Sequence, residues 1–347
     1  LDVATAEPVS VHDLTGTGRR RVIGLMASAA VLLLTCGLSL AIGTENVDPS
    51  TVWQALANYT DTGDQWIVHE LRIPRTLLGI AVGIALGLSG ALIQGVSRNP
   101  LADAQILGIN SGAGLFVVAA IAFLGLRSVW SYVWFAFVGA FVAMVLVYAI
   151  GMTGRAIATG VRMLLAGVAV GAVMEGISFA IRLRNPRAFD SMRYWDAGAL
   201  DGHSLAVVGM VAPFVALGAA LCLYVSRGLN AVALGDDLAV AMGGNVVRTR
   251  VLGLLAVTLL AGAATAGAGP IGFVGLMVPH AVRWFTGPHW RWICAYSVFA
   301  APALLLAADV VGRVVVRPGE LPAGIVTAFV GAPVLIWLVR RRDAAAL

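Results

Sequence analysis

Asp236 and Asp237 stand side by side in the island Leu234-Gly235-Asp236-Asp237-Leu238-Ala239-Val240-Ala241-Met242-Gly243-Gly244, set between long apolar runs. Two adjacent carboxylates are too costly to desolvate in lipid, so the island lies outside the bilayer. Leu234, Leu238 and Met242 recur every four residues and form one apolar stripe. Such a stripe fits a groove on a partner protein, or lies on a membrane surface. Paired acids oppose anionic lipid rather than seek it, which favours the protein partner. The other carboxylate of interest is Glu175, in the middle of an apolar run. It is expected to face the bundle interior, where it contacts a solute in a path or pairs with a neighbouring helix.

The remaining reactive residue types suggest little chemistry. His69, His203, His280 and His289 are scattered, without metal-ligand spacing. They read as structural, because functional metal sites need clustered ligands. Cys36, Cys222 and Cys294 each sit inside an apolar run with no Cys-x-x-Cys spacing, and read as small buried hydrophobes. No paired nucleophile and base stands in the apolar runs, which argues against an intramembrane enzyme. All 23 basic residues are arginine. Without lysine there is no phosphate-binding P-loop and no Schiff-base residue. If ATP drives the process, another chain binds the nucleotide.

Composition identifies the solvent in which these residues must be held. The chain is 59% hydrophobic and 12% charged, with mean hydropathy +0.90, against about 25% charged residues in soluble domains. The bilayer is the expected environment. A pI near 9.6 does not indicate nucleic acid, because the arginines cluster at the ends of apolar runs and no soluble basic domain exists to bind it.

Ten runs are candidate spans: 22–43, 74–96, 104–125, 130–151, 162–182, 204–226, 250–268, a short one at 271–283, 292–311 and 322–340. The chain reads as an all-α polytopic membrane protein. A polar tail (1–21) precedes one ten-helix domain (22–342), which includes a coupling segment at 227–250; a short tail (343–347) follows. The run from Val22 is too long for a signal-peptide core and reads as a retained span. An even count puts both termini on one side. Arg19–Arg21 and Arg340–Arg342 mark that side as cytoplasmic. In the loop 44–72, Asp48 is expected to cap a helix with Pro49 in its first turn. Trp53 and Tyr59 suit a helix at the membrane interface. Gly79, Gly83, Gly87 and Gly90 offer a face for close helix approach. Gly269-Pro270 before the short eighth segment marks either an interrupted span on a translocation route or a plain kink.

Four stretches together resemble the permease subunits of ABC importers for iron–siderophore complexes, haem and vitamin B12. They are Arg72-Ile73-Pro74-Arg75; Asn99-Pro100-Leu101-Ala102-Asp103 with Leu107-Gly108-Ile109 and Gly112-Ala113; the Leu234–Arg250 island with Gly269-Pro270-Ile271-Gly272-Phe273-Val274-Gly275-Leu276 and Pro279-His280, Arg283; and Glu320-Leu321-Pro322-Ala323-Gly324-Ile325-Val326-Thr327 with Gly331-Ala332-Pro333. The similarity runs from about residue 22 to 342.

The resemblance implies an importer permease of the bacterial inner membrane, bound to no cofactor itself. It would pair with a second permease subunit, identical or paralogous. Two cytoplasmic ATPase subunits would carry ATP and Mg, and an extracytoplasmic binding protein would deliver the cargo. Leu234, Gly235, Asp236, Asp237, Leu238, Ala239, Met242, Gly243, Gly244 and Val247 would couple to the ATPase. Arg72, Arg75, Arg313 and Arg317 would dock the binding protein. Gly160 and Val161, with Thr159 beside them, fall at gate positions where small hydroxyl residues are expected, and Glu175 joins them on the path. Arg182, Arg184, Arg187 and Arg193 would attract an anionic chelate or extend the docking rim. The rival reading is an ion-coupled secondary transporter with Glu175 as proton carrier and the short eighth segment as its broken helix.

Overall fold

A computed structural model describes residues 11–45, 47–60, 63–126, 128–151 and 160–340, and among these there is no strand. The helices are α1 (Val11–Ala41), α2 (Pro49–Ala57), α3 (Gly63–Trp66), α4 (Ile73–Ser97), α5 (Ile109–Leu124), α6 (Val129–Gly151), α7 (Gly160–Arg184), α8 (Pro186–Trp195), α9 (Leu205–Ala233), α10 (Asp236–Ala241), α11 (Val246–Ala268), α12 (Val274–Thr286), α13 (Trp290–Val315) and α14 (Ala323–Arg340). A π-helical turn, Ile67–Arg72, joins α3 to α4. Seven helical stretches are long and apolar enough to cross a membrane, and Ile109–Leu124 and Ala323–Trp337 are shorter apolar helices. The chain is a polytopic membrane protein.

α4 and α11 form the centre. Of the residues in the most apolar window of each, 78% are buried, against 11% for α1. The glycine face of α4 makes that position possible. A Cβ on Gly83 would lie 2.3 Å from Pro302 Cα of α13, and one on Gly90 would lie 1.9 Å from the Gly275 carbonyl oxygen of α12. Both distances are far inside van der Waals contact, so the helix backbones touch where a side chain would hold them apart. Gly90→Ala should therefore destabilise the permease by about 1–3 kcal/mol, the usual range for overpacking. A lowered unfolding midpoint in detergent checks this; an unchanged midpoint would mean α12 moves aside freely.

Two spans are interrupted. Residues 104–125 are not one helix, as expected from their apolarity: a 3-10 turn at Ala104–Leu107 ends at Gly108, whose φ of 74° breaks the run before α5. The eighth segment is also offset. Gly269 (φ 72°) and Phe273 (φ 69°) bracket an unwound stretch, and α12 starts only at Val274. With 13 residues it is about 20 Å long, too short for a hydrocarbon core of about 30 Å. The freed carbonyls must find donors inside the protein. Gln105 donates to the Ile271 carbonyl. Gln94 donates to Leu276 O at 3.2 Å, and Ala199 N donates to Ala268 O at 2.9 Å. The Gln105 amide thus ties the two unwound stretches to each other, and Gln94 ties the first turn of α12 to α4.

Other expectations need adjusting. α1 begins at Val11, so half of the expected N-terminal tail is helical. α9 runs on to Ala233, past the expected end at 226. α2 forms with Pro49 in its first turn, but Asp48 makes no side-chain cap bond. Cys222 and Cys294 are buried free thiols whose sulfurs touch at 3.5 Å between α9 and α13.

Candidate functional site

At one end of the bundle the acidic island folds as a turn, a six-residue helix (α10) and a second turn. Gly235 and Gly243 take positive φ values of 118° and 78°, which let the chain reverse on both sides of α10. Asp236 and Asp237 occupy its first turn, where the helix dipole favours negative charge. Asp236 accepts from Arg250 at 3.0 Å and pairs with Arg98, the residue that ends α4 in a left-handed conformation. The island is therefore fastened to α4 and α11 by charge. Ala239 turns inward against Val232 and Val246, and so does not face a partner. Leu234, Leu238, Val240, Met242 and Val247 are all exposed. The four-residue stripe expected from sequence is thus a broader apolar patch, to which Val240 is added. Asp237, Gly243 and the partly exposed Gly244 border it. Neither Arg98 nor Arg250 was among the expected site residues; no sequence spacing links them to Asp236.

The opposite end carries the four arginines expected to dock a binding protein, and two of them, Arg75 and Arg313, close around Asp309. Asp309 is fully buried. Arg75 gives it Nη2 at 2.8 Å and Nε at 3.0 Å, and Arg313 gives it Nε at 3.1 Å. Arg75 reaches on to Glu320 at 2.7 Å. The arginines also cap α1, whose last carbonyls have no partner within the helix. Arg72 donates to Leu40 O (2.6 Å), Ala41 O (2.9 Å) and Glu45 O (2.5 Å). Arg313 donates to Ser39 O (2.8 Å) and Ile42 O (3.1 Å), and Arg317 to Gly43 O (2.6 Å). Arg72 and Arg313 are buried, Arg75 is partly exposed and Arg317 exposed. All four guanidiniums thus bond within the chain, and Arg317 is the one that stays exposed. Asp309 was missed, although Asp309-x-x-x-Arg313 inside an apolar run is a legible i,i+4 ion pair.

Above this cluster lies a cavity of about 480 Å³ lined by Arg72, Arg75, Glu45, Glu70, Asp201 and His203. Burial pushes His203 below the ordinary histidine range, so it is neutral at pH 7, and its Nδ1 donates to the Asp201 carbonyl at 2.5 Å.

Glu175 does not face the bundle interior. Its side chain is 56% exposed, with Arg182 at 3.9 Å as its ionic partner. On α7 it lies within about 40° of the exposed Val168 and Phe179, at 3.6 residues per turn. Arg182 is mainly engaged by Asp196 at 2.5 Å. Arg184, Arg187 and Arg193 are exposed beyond it, and Arg193 lies over the Tyr194 ring at 5.0 Å. Gly160 and Val161 open α7; Thr159 lies outside the described residues. Among the described residues no group of His, Cys, Asp and Glu could hold a metal ion.

Comparison with known proteins finds relatives over nearly the whole chain. The model of the FecCD transport family matches residues 31–341. The ferric enterobactin transport system permease protein FepD of Escherichia coli (strain K12) is 45% identical over 322 residues, 93% of this chain and 96% of that protein. The Fe(3+)-citrate import system permease protein YfmD of Bacillus subtilis (strain 168) is 38% identical, covering 95% and 98%. The hemin transport system permease protein HmuU of Yersinia pestis is 32% identical, covering 92% and 96%. Among solved structures, an inward-facing metal-chelate type ABC transporter superposes with a TM-score of 0.80 at 25% identity, over 91% of this chain and 98% of that one.

Proposed function

Since the chain belongs to the FecCD transport family, we propose that it is the permease subunit of an ATP-driven importer for a ferric siderophore. The observation that carries the reading is the island of α10: an apolar patch held outward, fastened to two central helices by the Arg98–Asp236–Arg250 pairs. A rigidly mounted apolar patch transmits a push; a flexible one would absorb it. ATP and Mg belong to two ATPase subunits seated on this patch. The chain crosses the bacterial inner membrane ten times, with both termini on the ATPase side; α12 with its unwound lead supplies the eighth crossing. A second permease covers α7. A carboxylate on an exposed apolar face cannot look into lipid, so Glu175 looks onto an aqueous path between the two subunits, which Gly160 and Val161 close on the ATPase side.

A binding protein docks on the face that carries Asp309. Of the four arginines, the exposed Arg317 supplies the docking charge, whereas Arg75 holds Asp309 and Glu320 and Arg72 and Arg313 secure α1. Arg317→Glu should weaken binding-protein association about fivefold, the scale of one exposed ion pair of about 1 kcal/mol. It should leave ATPase assembly intact. Equal affinity before and after the change removes Arg317 from the interface.

Reconstitution tests the whole reading. Proteoliposomes with permease, ATPase and binding protein should accumulate a ferric siderophore when ATP is supplied, and the chain alone should accumulate none on a proton gradient. Gradient-driven uptake by the chain alone would establish the secondary transporter instead. Glu175→Gln separates the two readings further: it should preserve ATP-driven uptake and its pH profile, whereas a proton carrier would lose both.

A further inference from the structure

We propose that the cleft between α1, α12 and α14 binds one anionic phospholipid of the leaflet on the α10 side. Its headgroup would lie at Arg20 and Arg21, with an acyl chain between the helices. The cleft has a volume of about 1230 Å³, and it is floored by α13 through Tyr296, Ala300 and Leu304. Interiors are packed to crystal density, and a gap of this size between apolar helices does not stay empty in a bilayer. On the α1 side it is lined by the small Ala27 and Ser28, while Gly24 lets α1 close onto the Tyr296 hydroxyl at the cleft floor. Trp284 of α12 and Trp337 of α14 meet edge to face at 5.8 Å on the far wall. From Met277 to Phe285 the cleft follows α12 for about 12 Å, most of one leaflet's share of a core of about 30 Å.

Its polar groups select the occupant. Arg20 lines the cleft and is exposed. Arg21 beside it spends Nη2 on the Thr286 carbonyl at 3.0 Å, while its buried Nε has no partner. His280, 4% exposed, lines the wall with an unpartnered Nδ1. Among the described residues no acidic one lines the cleft. A second copy of the chain could supply an apolar helix, but the helix would bring no anion to two arginines. A phospholipid brings both the chain and the phosphate.

The test uses the assembled importer in nanodiscs of phosphatidylcholine, doped with brominated phosphatidylglycerol or brominated phosphatidylcholine. The Trp284 and Trp337 fluorescence is assigned by difference from Trp284→Phe/Trp337→Phe. Brominated phosphatidylglycerol should quench it at a mole fraction about fivefold lower, the preference expected from one arginine at the surface. Arg20→Gln should abolish that preference, and Ala27→Phe should abolish the quenching by either lipid. Two results overturn the proposal: identical quenching curves for both lipids in the unmodified protein, or disulfide capture of Ala27→Cys by an introduced cysteine of a second permease in native membranes. The second result would assign the cleft to a subunit interface.

Discussion

Asp309→Ala should destabilise the permease by about 3–5 kcal/mol, the range for breaking a buried ion pair by removing one partner. Asp309 is fully buried and accepts from both Arg75 and Arg313. The side chains of these arginines are 11% and 2% exposed, so neither reaches water freely. Without the carboxylate two guanidiniums face each other in a desolvated site. Arg313 would keep its bonds to Ser39 O and Ile42 O, and Arg75 its bond to Glu320, so α1 stays attached while the cluster repels itself. The measurement is the unfolding midpoint in nanodiscs, with the yield of intact protein from membranes beside it. Asp309→Leu combined with Arg313→Met removes both charges of one pair and should recover part of the loss; the cycle isolates the pair from the packing. If the single and double variants unfold together, charge is not what Asp309 contributes.

Leu238→Asp with Met242→Asp should abolish ATPase association. Both side chains are about half exposed, at 48% and 54%, so folding does not depend on them and the unfolding midpoint should hold. Each acts as an apolar anchor worth about 2 kcal/mol, roughly thirtyfold in affinity, with losses of this kind not strictly additive. Binding of purified ATPase to permease nanodiscs measures the effect. ATPase that still co-purifies at full stoichiometry would show that the island does not couple. Asp236 separates mounting from contact. Asp236→Asn should loosen the island on Arg98 and Arg250, lowering transport per ATP more than it lowers binding.

Much of this arrangement was readable beforehand, for reasons specific to each element. Two adjacent acids between glycine breaks exclude a span whatever surrounds them, and the island folds as a short helix between two turns at one end of the bundle. The glycine face of α4 predicts backbone contact, and Gly83 and Gly90 make it. Gly269-Pro270 signals an interruption, although not that helix resumes only at Val274. Part of what escaped prediction has backbone groups as partners, which every residue carries. Arg72 and Arg313 looked like surface charges because nothing in their sequence context reveals that the end of α1 is their acceptor. Gln94 and Gln105 gave no signal for the same reason, since their acceptors are carbonyls freed by breaks elsewhere. Glu175 is expected inside because a carboxylate is costly in lipid, and that cost does not say which side of a single chain gives shelter; its side chain is 56% exposed.

The fastening of α1 has a consequence for the conditions the protein can tolerate. Three guanidiniums grip carbonyl oxygens there. Arginine side chains stay protonated and peptide oxygens do not titrate, so no proton is gained or lost in these contacts at any acidity a cell meets. The outer compartment of a bacterium takes the pH of its surroundings. An anchorage made this way keeps the first helix seated whether the medium is sour or alkaline.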